Sequence, residues 1–117
     1  MDLTKKKCEP CEGGTKPFDA NEIKTYMSYL KTPWELVSGD PSTSSGRILR
    51  IRKKFKFKDF KEAMQFVNQV ADIAENEGHH PDMKINYNRV KIELTTHAIG
   101  GLSVNDFIMA SKIELLE

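Results

Sequence analysis

Two cysteines among 117 residues are too few to build a disulfide-stapled secreted scaffold. No apolar run approaches the roughly 20 residues that a membrane helix requires, so no membrane partner is expected. The opening MDLTKKKCEPCEGG has lysines but neither the apolar stretch of a signal peptide nor the arginine-rich amphipathic pattern of a transit peptide. A net charge of +1 argues against bulk attraction to nucleic acid. What is present is ordinary for a globular domain: 38% hydrophobic residues, 30% charged residues and a mean hydropathy of −0.53. One domain of 13.4 kDa in a reducing, cytoplasmic setting is the expectation.

Residues 1–17 hold Pro10, Gly13, Gly14 and Pro17 without periodicity and read as a mobile N-terminal arm, leaving 18–117 as the single domain. Asp19 and Glu22 form a capping pattern ahead of Ile23, Tyr26, Met27 and Leu30, a helical stripe that Pro33 stops. Trp34–Val37 is a short strand candidate, and the Ser/Thr/Gly/Pro stretch 38–46 is an exposed hairpin loop. From Arg47 to Phe57, Leu49, Ile51, Phe55 and Phe57 share one strand face, with Lys53 the exception among them.

Asp59 and Glu62 repeat the capping pattern before a strongly periodic helix that Gly78 closes. Phe66 and Ile73 stand off its stripe and suggest a second contact surface. Met83, Ile85 and Tyr87 alternate as a strand with Tyr87 in the core, and Asn88-Arg89 turns into Val90–Thr95. Ser103 caps the last helix, with Asp106 at its third position and Leu102 stapled onto Phe107. The expected fold is α+β in two layers: an antiparallel four-stranded sheet of two β-hairpins, helices on one face, order α-β-β-α-β-β-α.

Residues 47–58 carry seven basic side chains and no acidic one, which leaves 11 positive and 17 negative charges elsewhere, a net of −6. The strip lacks the helix-in-groove or aromatic-interleaved setting of nucleic-acid readers, and its alternation is that of a half-solvated strand. No nucleic-acid partner is expected from it.

All three histidines fall in the C-terminal half. His79-His80-Pro81 follows a helix cap, and His97 ends the fourth strand, so the pair and the single histidine sit at two element junctions. Three unconnected surface histidines are the bland alternative. Cys8 and Cys11 have CxxC spacing but no second pair, so no metal site is expected. Gly100-Gly101 is a turn, not a phosphate loop.

The string Glu75-Asn76-Glu77-Gly78-His79-His80-Pro81, followed by Tyr87, His97 and Asp106, resembles the signature of the pterin-4a-carbinolamine dehydratases. The likeness runs from about Phe18 to about Leu115 and takes in Trp34 and the run from Phe55 to Phe60. Two positions depart: Met83 and Gly78 stand where some members carry an aromatic and an acidic residue.

The resemblance implies dehydration of a 4a-hydroxytetrahydropterin to the quinonoid dihydropterin, in tetrahydrobiopterin recycling beside an aromatic amino acid hydroxylase. It implies no cofactor, since the pterin is the substrate, and a homodimer or homotetramer. It gives His79 and His97 acid–base roles, His80 mainly substrate binding, and Thr96 and Pro81 places in the pterin pocket. Glu75 would orient a histidine or bond the pterin amide edge. Asp106 is as much a helix cap as a site residue on this reading. Histidine suits the chemistry because its ordinary pKa of about 6.5 lets it give or take a proton near neutrality. A non-catalytic protein-binding module, of the dimerisation-cofactor kind known among animal members, is the alternative.

Overall fold

Asp19 opens the first helix, α1 (Ala20–Met27), by the capping box read from the sequence. Its carboxylate accepts from the Glu22 amide, and Glu22 accepts from the Asp19 amide. The computed structural model describes residues 2–8, 16–38 and 49–116. In it α1 ends at Met27, well before Pro33, because Ser28, Tyr29 and Leu30 donate to carbonyls three residues back and tighten the chain out of the helix.

Strands β1 (Glu35–Ser38) and β2 (Leu49–Lys56) then pair antiparallel, with Leu36 opposite Ile51. The first strand starts one residue later than expected, because Trp34 turns into the core. Ser38, expected in the loop, ends β1 opposite Leu49, and the rest of the serine-rich loop and Arg47 lie outside the described residues. Asp59 caps α2 (Phe60–Glu77) by accepting from the Glu62 amide at 2.9 Å, and Gly78 ends it at φ 67°, a left-handed conformation that a side chain would strain.

Strands β3 (Asp82–Asn86) and β4 (Arg89–Leu94) follow. Their turn is Tyr87-Asn88, one residue earlier than expected. Asn88 fixes it by donating from Nδ2 to the Phe57 carbonyl, while its own carbonyl accepts from the Phe57 amide. Tyr87 is therefore a turn residue at φ 50° and 66% exposed, not part of the core. Ser103 caps α3 (Val104–Glu114), again with a capping box, closed by Asp106.

The sheet is antiparallel throughout, in the order β1-β2-β4-β3, so the element order and fold class are those expected. The helices cover the face that carries Ile51, Phe55, Val90, Ile92 and Leu94. Phe66 is buried and lies on Phe55 and Phe57, with ring centroids 4.7 and 5.0 Å apart, and Ile73 is half-buried against the same core. The second contact surface read from this pair is thus largely spent inside the molecule, because the apolar arc of α2 is wide enough to cover both the sheet and its margin.

Of the N-terminal arm expected over residues 1–17, residues 9–15 lie outside the described residues, while residues 2–8 pack on the domain. Leu3, in a 3-10 turn over Leu3–Lys5, is buried. The Cys8 amide donates to Glu77 at 2.8 Å, and its thiol reaches the Asn105 carbonyl at 3.6 Å. The reason lies in α3, which is buried from Asn105 to Ser111 and needs cover on a second side. Among the described residues, no helix is long and apolar enough to cross a membrane.

Candidate active site

The end of α2 sets the first histidine. The amides of Gly78 and His79 both donate to the Ala74 carbonyl, at 2.9 and 3.3 Å, so the chain leaves the helix along a fixed path. That path carries the His79 ring to Asp106, on the first turn of α3, with Nε2 2.7 Å from Oδ1. The imidazole is 13% exposed and the carboxyl not at all.

Asp106 is held as firmly from its other side. Its Oδ2 accepts from the Thr96 hydroxyl at 2.8 Å and from the Ser103 amide at 3.0 Å, and the Thr96 and Ser103 hydroxyls lie 2.8 Å apart. A buried carboxylate needs donors around it, and here three different segments supply them. A carboxylate can only accept, so the 2.7 Å contact places a hydrogen on His79 Nε2 and leaves Nδ1 as the nitrogen available for proton exchange.

His97 follows Thr96 directly. It begins a 3-10 turn, His97–Ile99, that Gly100 closes at φ 69°. Reciprocal bonds between Thr96 and Gly101 seal the base of this loop. Behind it lies Pro17, so near that a Cβ on Gly101 would come within 2.7 Å, and Phe18 donates to the Leu102 carbonyl at 2.8 Å. His97 itself is exposed, and its ring makes no hydrogen bond among the described residues.

His80 turns the other way. Its Nε2 lies 2.6 Å from Glu75, one turn earlier on α2, and both side chains are open to solvent at 62% and 77%. Pro81 is half-buried and starts the chain into β3.

The sequence-derived residues therefore resolve into two groups. Asp106 joins His79 to the Thr96-His97 junction, while Glu75 and His80 form a separate outer pair. Thr96 is buried, with its hydroxyl engaged by Asp106 and Ser103, so it stands behind the histidines. Asp106 makes the helix cap weighed for it, and the oxygen that closes that cap shares a carboxylate with the oxygen facing His79. Ser103 is the participant that sequence reasoning assigned to capping alone. Of two sizeable depressions elsewhere, of about 370 and 620 Å³, neither is lined by a histidine. Cys8 is a buried free thiol, and Cys11 lies outside the described residues.

Residues 16–116 match the family model described as pterin 4 alpha carbinolamine dehydratase. A protein of Nitrosomonas eutropha named for that dehydratase is 44% identical over 98% of this chain and 93% of its own length. One from Alkaliphilus metalliredigens, named likewise, is 43% identical over 96% of this chain and 93% of its own. Among solved structures, one described as a transcriptional coactivator/pterin dehydratase from Brucella melitensis superposes with a TM-score of 0.73. It is 33% identical, over 86% of this chain and 98% of that one.

Proposed function

The chain belongs to the pterin-4a-carbinolamine dehydratase family, and from that premise we propose that it removes water from a 4a-hydroxytetrahydropterin to give the quinonoid dihydropterin. The C4a–O bond breaks as the departing hydroxyl takes up a proton, and N5 loses its proton, so substrate becomes product plus water with no redox change. Two groups must exchange protons with one small ring, and two histidines at converging junctions suit that need. His79, with Nε2 anchored on Asp106, works through Nδ1. His97, exposed and without a hydrogen-bonded partner among the described residues, is the second acid–base group. His80 and Glu75, already hydrogen-bonded to each other, bind the pterin's polar edge beside Pro81.

The observation that carries this reading is the buried Asp106, which fixes one histidine by one oxygen and the loop before the other histidine by the second. The test is the appearance of quinonoid dihydropterin followed by absorbance with and without the protein. Rates no faster than buffer would end the enzyme reading.

The setting we propose is recycling of tetrahydrobiopterin beside an aromatic amino acid hydroxylase, in a cytoplasm that suits the free thiol of Cys8. The working form is a homodimer or homotetramer. Support for assembly now comes from Leu36, Phe60, Ile85 and Leu115, which expose apolar surface. Light scattering at micromolar concentration should return at least twice 13.4 kDa, and a monomer would sink this part of the proposal. The second reading, a protein-binding module, draws on the coactivator description of the Brucella melitensis protein. It gains ground if a folded protein leaves the dehydration rate at the buffer value.

A further inference from the structure

The basic strip of the sequence acquires a second dimension in the sheet. On the face away from the helices, Lys54 of β2 stands opposite Lys91 of β4, and Lys91 stands opposite Lys84 of β3. The next row is Lys56, Arg89 and Asn86. Five cations from three strands thus occupy two adjacent rows, and together they line a depression of about 370 Å³ with no carboxylate in its wall. Like charges directly opposite on neighbouring strands repel.

Elsewhere on the same face that repulsion is relieved. Arg52 lies 3.1 Å from Glu35, and Arg50 lies 3.9 Å from Glu93. Lys54, Lys56, Lys84, Arg89 and Lys91 make no such pair among the described residues. The charge is concentrated where the sheet is concave enough to hold a small molecule and absent of counter-charge there alone.

We propose that this depression is a binding site for a compact, multiply charged phosphate-class anion, separate from the histidine site. The ligand is compact because in the next row along Glu93 stands between Arg52 and a second carboxylate, Asp82. Those carboxylates would repel a polyanion that ran the length of the sheet. Three lysines abreast suit several phosphoryl oxygens at once, each ammonium giving a charge-assisted hydrogen bond. The anion replaces the missing counter-charge and so stabilises the fold it binds.

The experiment titrates the full chain with inorganic tripolyphosphate by calorimetry, with sulfate at matched ionic strength as reference. Binding should be at least about tenfold tighter for tripolyphosphate, and Lys91→Ala should weaken it about tenfold by removing the cation shared by both pairs of the row. Lys91→Glu should abolish binding yet raise the melting temperature of the anion-free protein at low salt, because it relieves the row. Lys61→Ala, on α2, should bind as the native chain does. Equal affinity for sulfate and tripolyphosphate, or binding unmoved by both Lys91 variants, would overturn the site. A single-stranded oligonucleotide that binds more tightly than tripolyphosphate, and loses affinity on Arg50→Ala outside the depression, would overturn the compact ligand in favour of a nucleic-acid surface.

Discussion

Asp106→Asn changes the charge and hydrogen count of one buried group while keeping its size. In the native protein Oδ2 accepts from the Thr96 hydroxyl and the Ser103 amide, and Oδ1 faces His79 Nε2. Asparagine has one acceptor oxygen. A backbone amide can only donate, so Ser103 demands that oxygen at the Oδ2 position, and the new NH₂ must face the imidazole. His79 then has to accept on Nε2 and carry its hydrogen on Nδ1, the tautomer opposite to the one the carboxylate imposes. The nitrogen offered to substrate changes, in the neutral ring, from proton acceptor to proton donor.

A positioned acid–base group contributes roughly 10²–10⁴ in rate, so kcat should fall at least about 10²-fold while KM stays within about threefold. Losing the charge-assisted bond to His79 should also cost about 1.5–3 kcal/mol of stability. Steady-state absorbance kinetics read the first effect and denaturant midpoints the second. The ¹⁵N shifts of the His79 ring report its tautomer directly. Native kcat in a variant whose His79 tautomer has inverted would refute the assignment of His79 as an acid–base group.

Other expectations are separable from that one. His79→Ala and His97→Ala should each lower turnover about 10²-fold or more, whereas His80→Ala should mainly raise KM; near-native turnover in the first two, for both epimers of the 4a-alcohol, would remove them from the chemistry. Burial, with the Glu77 carboxylate nearby, pushes the Cys8 thiol up to about 12. Its thiolate is then roughly 10⁻⁴ of the population at pH 8, so iodoacetamide should label Cys8 about 10³-fold more slowly in the native than in the urea-unfolded chain. Site-resolved mass spectrometry distinguishes it from Cys11.

Glu77 is held below its ordinary 4.5: burial raises it, but the Lys112 ammonium at 2.8 Å and the Cys8 amide together outweigh that. Its contribution is therefore complete above the unfolded value and disappears as pH falls through the lower folded one. The stability deficit of Glu77→Gln should be largest at pH 7 and shrink below about pH 4.5 in acid titrations of the denaturant midpoint.

How much of this was legible in the sequence follows the range of the forces involved. Caps are local, so Asp19, Asp59, Gly78 and Ser103 could be placed from spacing alone, and each sits where its spacing put it. Strand alternation is nearly as local, and the β2 face with Ile51 and Phe55 inside followed from it. Tyr87 misled because alternation extends a strand until something breaks it. What broke it was the bond from Asn88 to Phe57, 31 residues back. Leu3 misled for the complementary reason: a short segment without periodicity carries no signal of burial, and only α3, buried on nearly every side, shows what it covers.

The site inherits the same division. Each of its helical ends is a cap first, and the long-range step is the meeting of two caps: the Gly78 end of α2 hands His79 to the Asp106 start of α3. Asp106 satisfies its own helix with the same carboxylate that aims the histidine, so the Ser103 bond and the His79 bond constrain one rigid group. That sharing explains why a fully buried carboxylate is tolerated here. It has two donors from the fold and one from the site, and loss of the histidine would still leave Oδ2 satisfied. The geometry of the histidine is thus set before any substrate arrives, by interactions the fold needs anyway for its last helix.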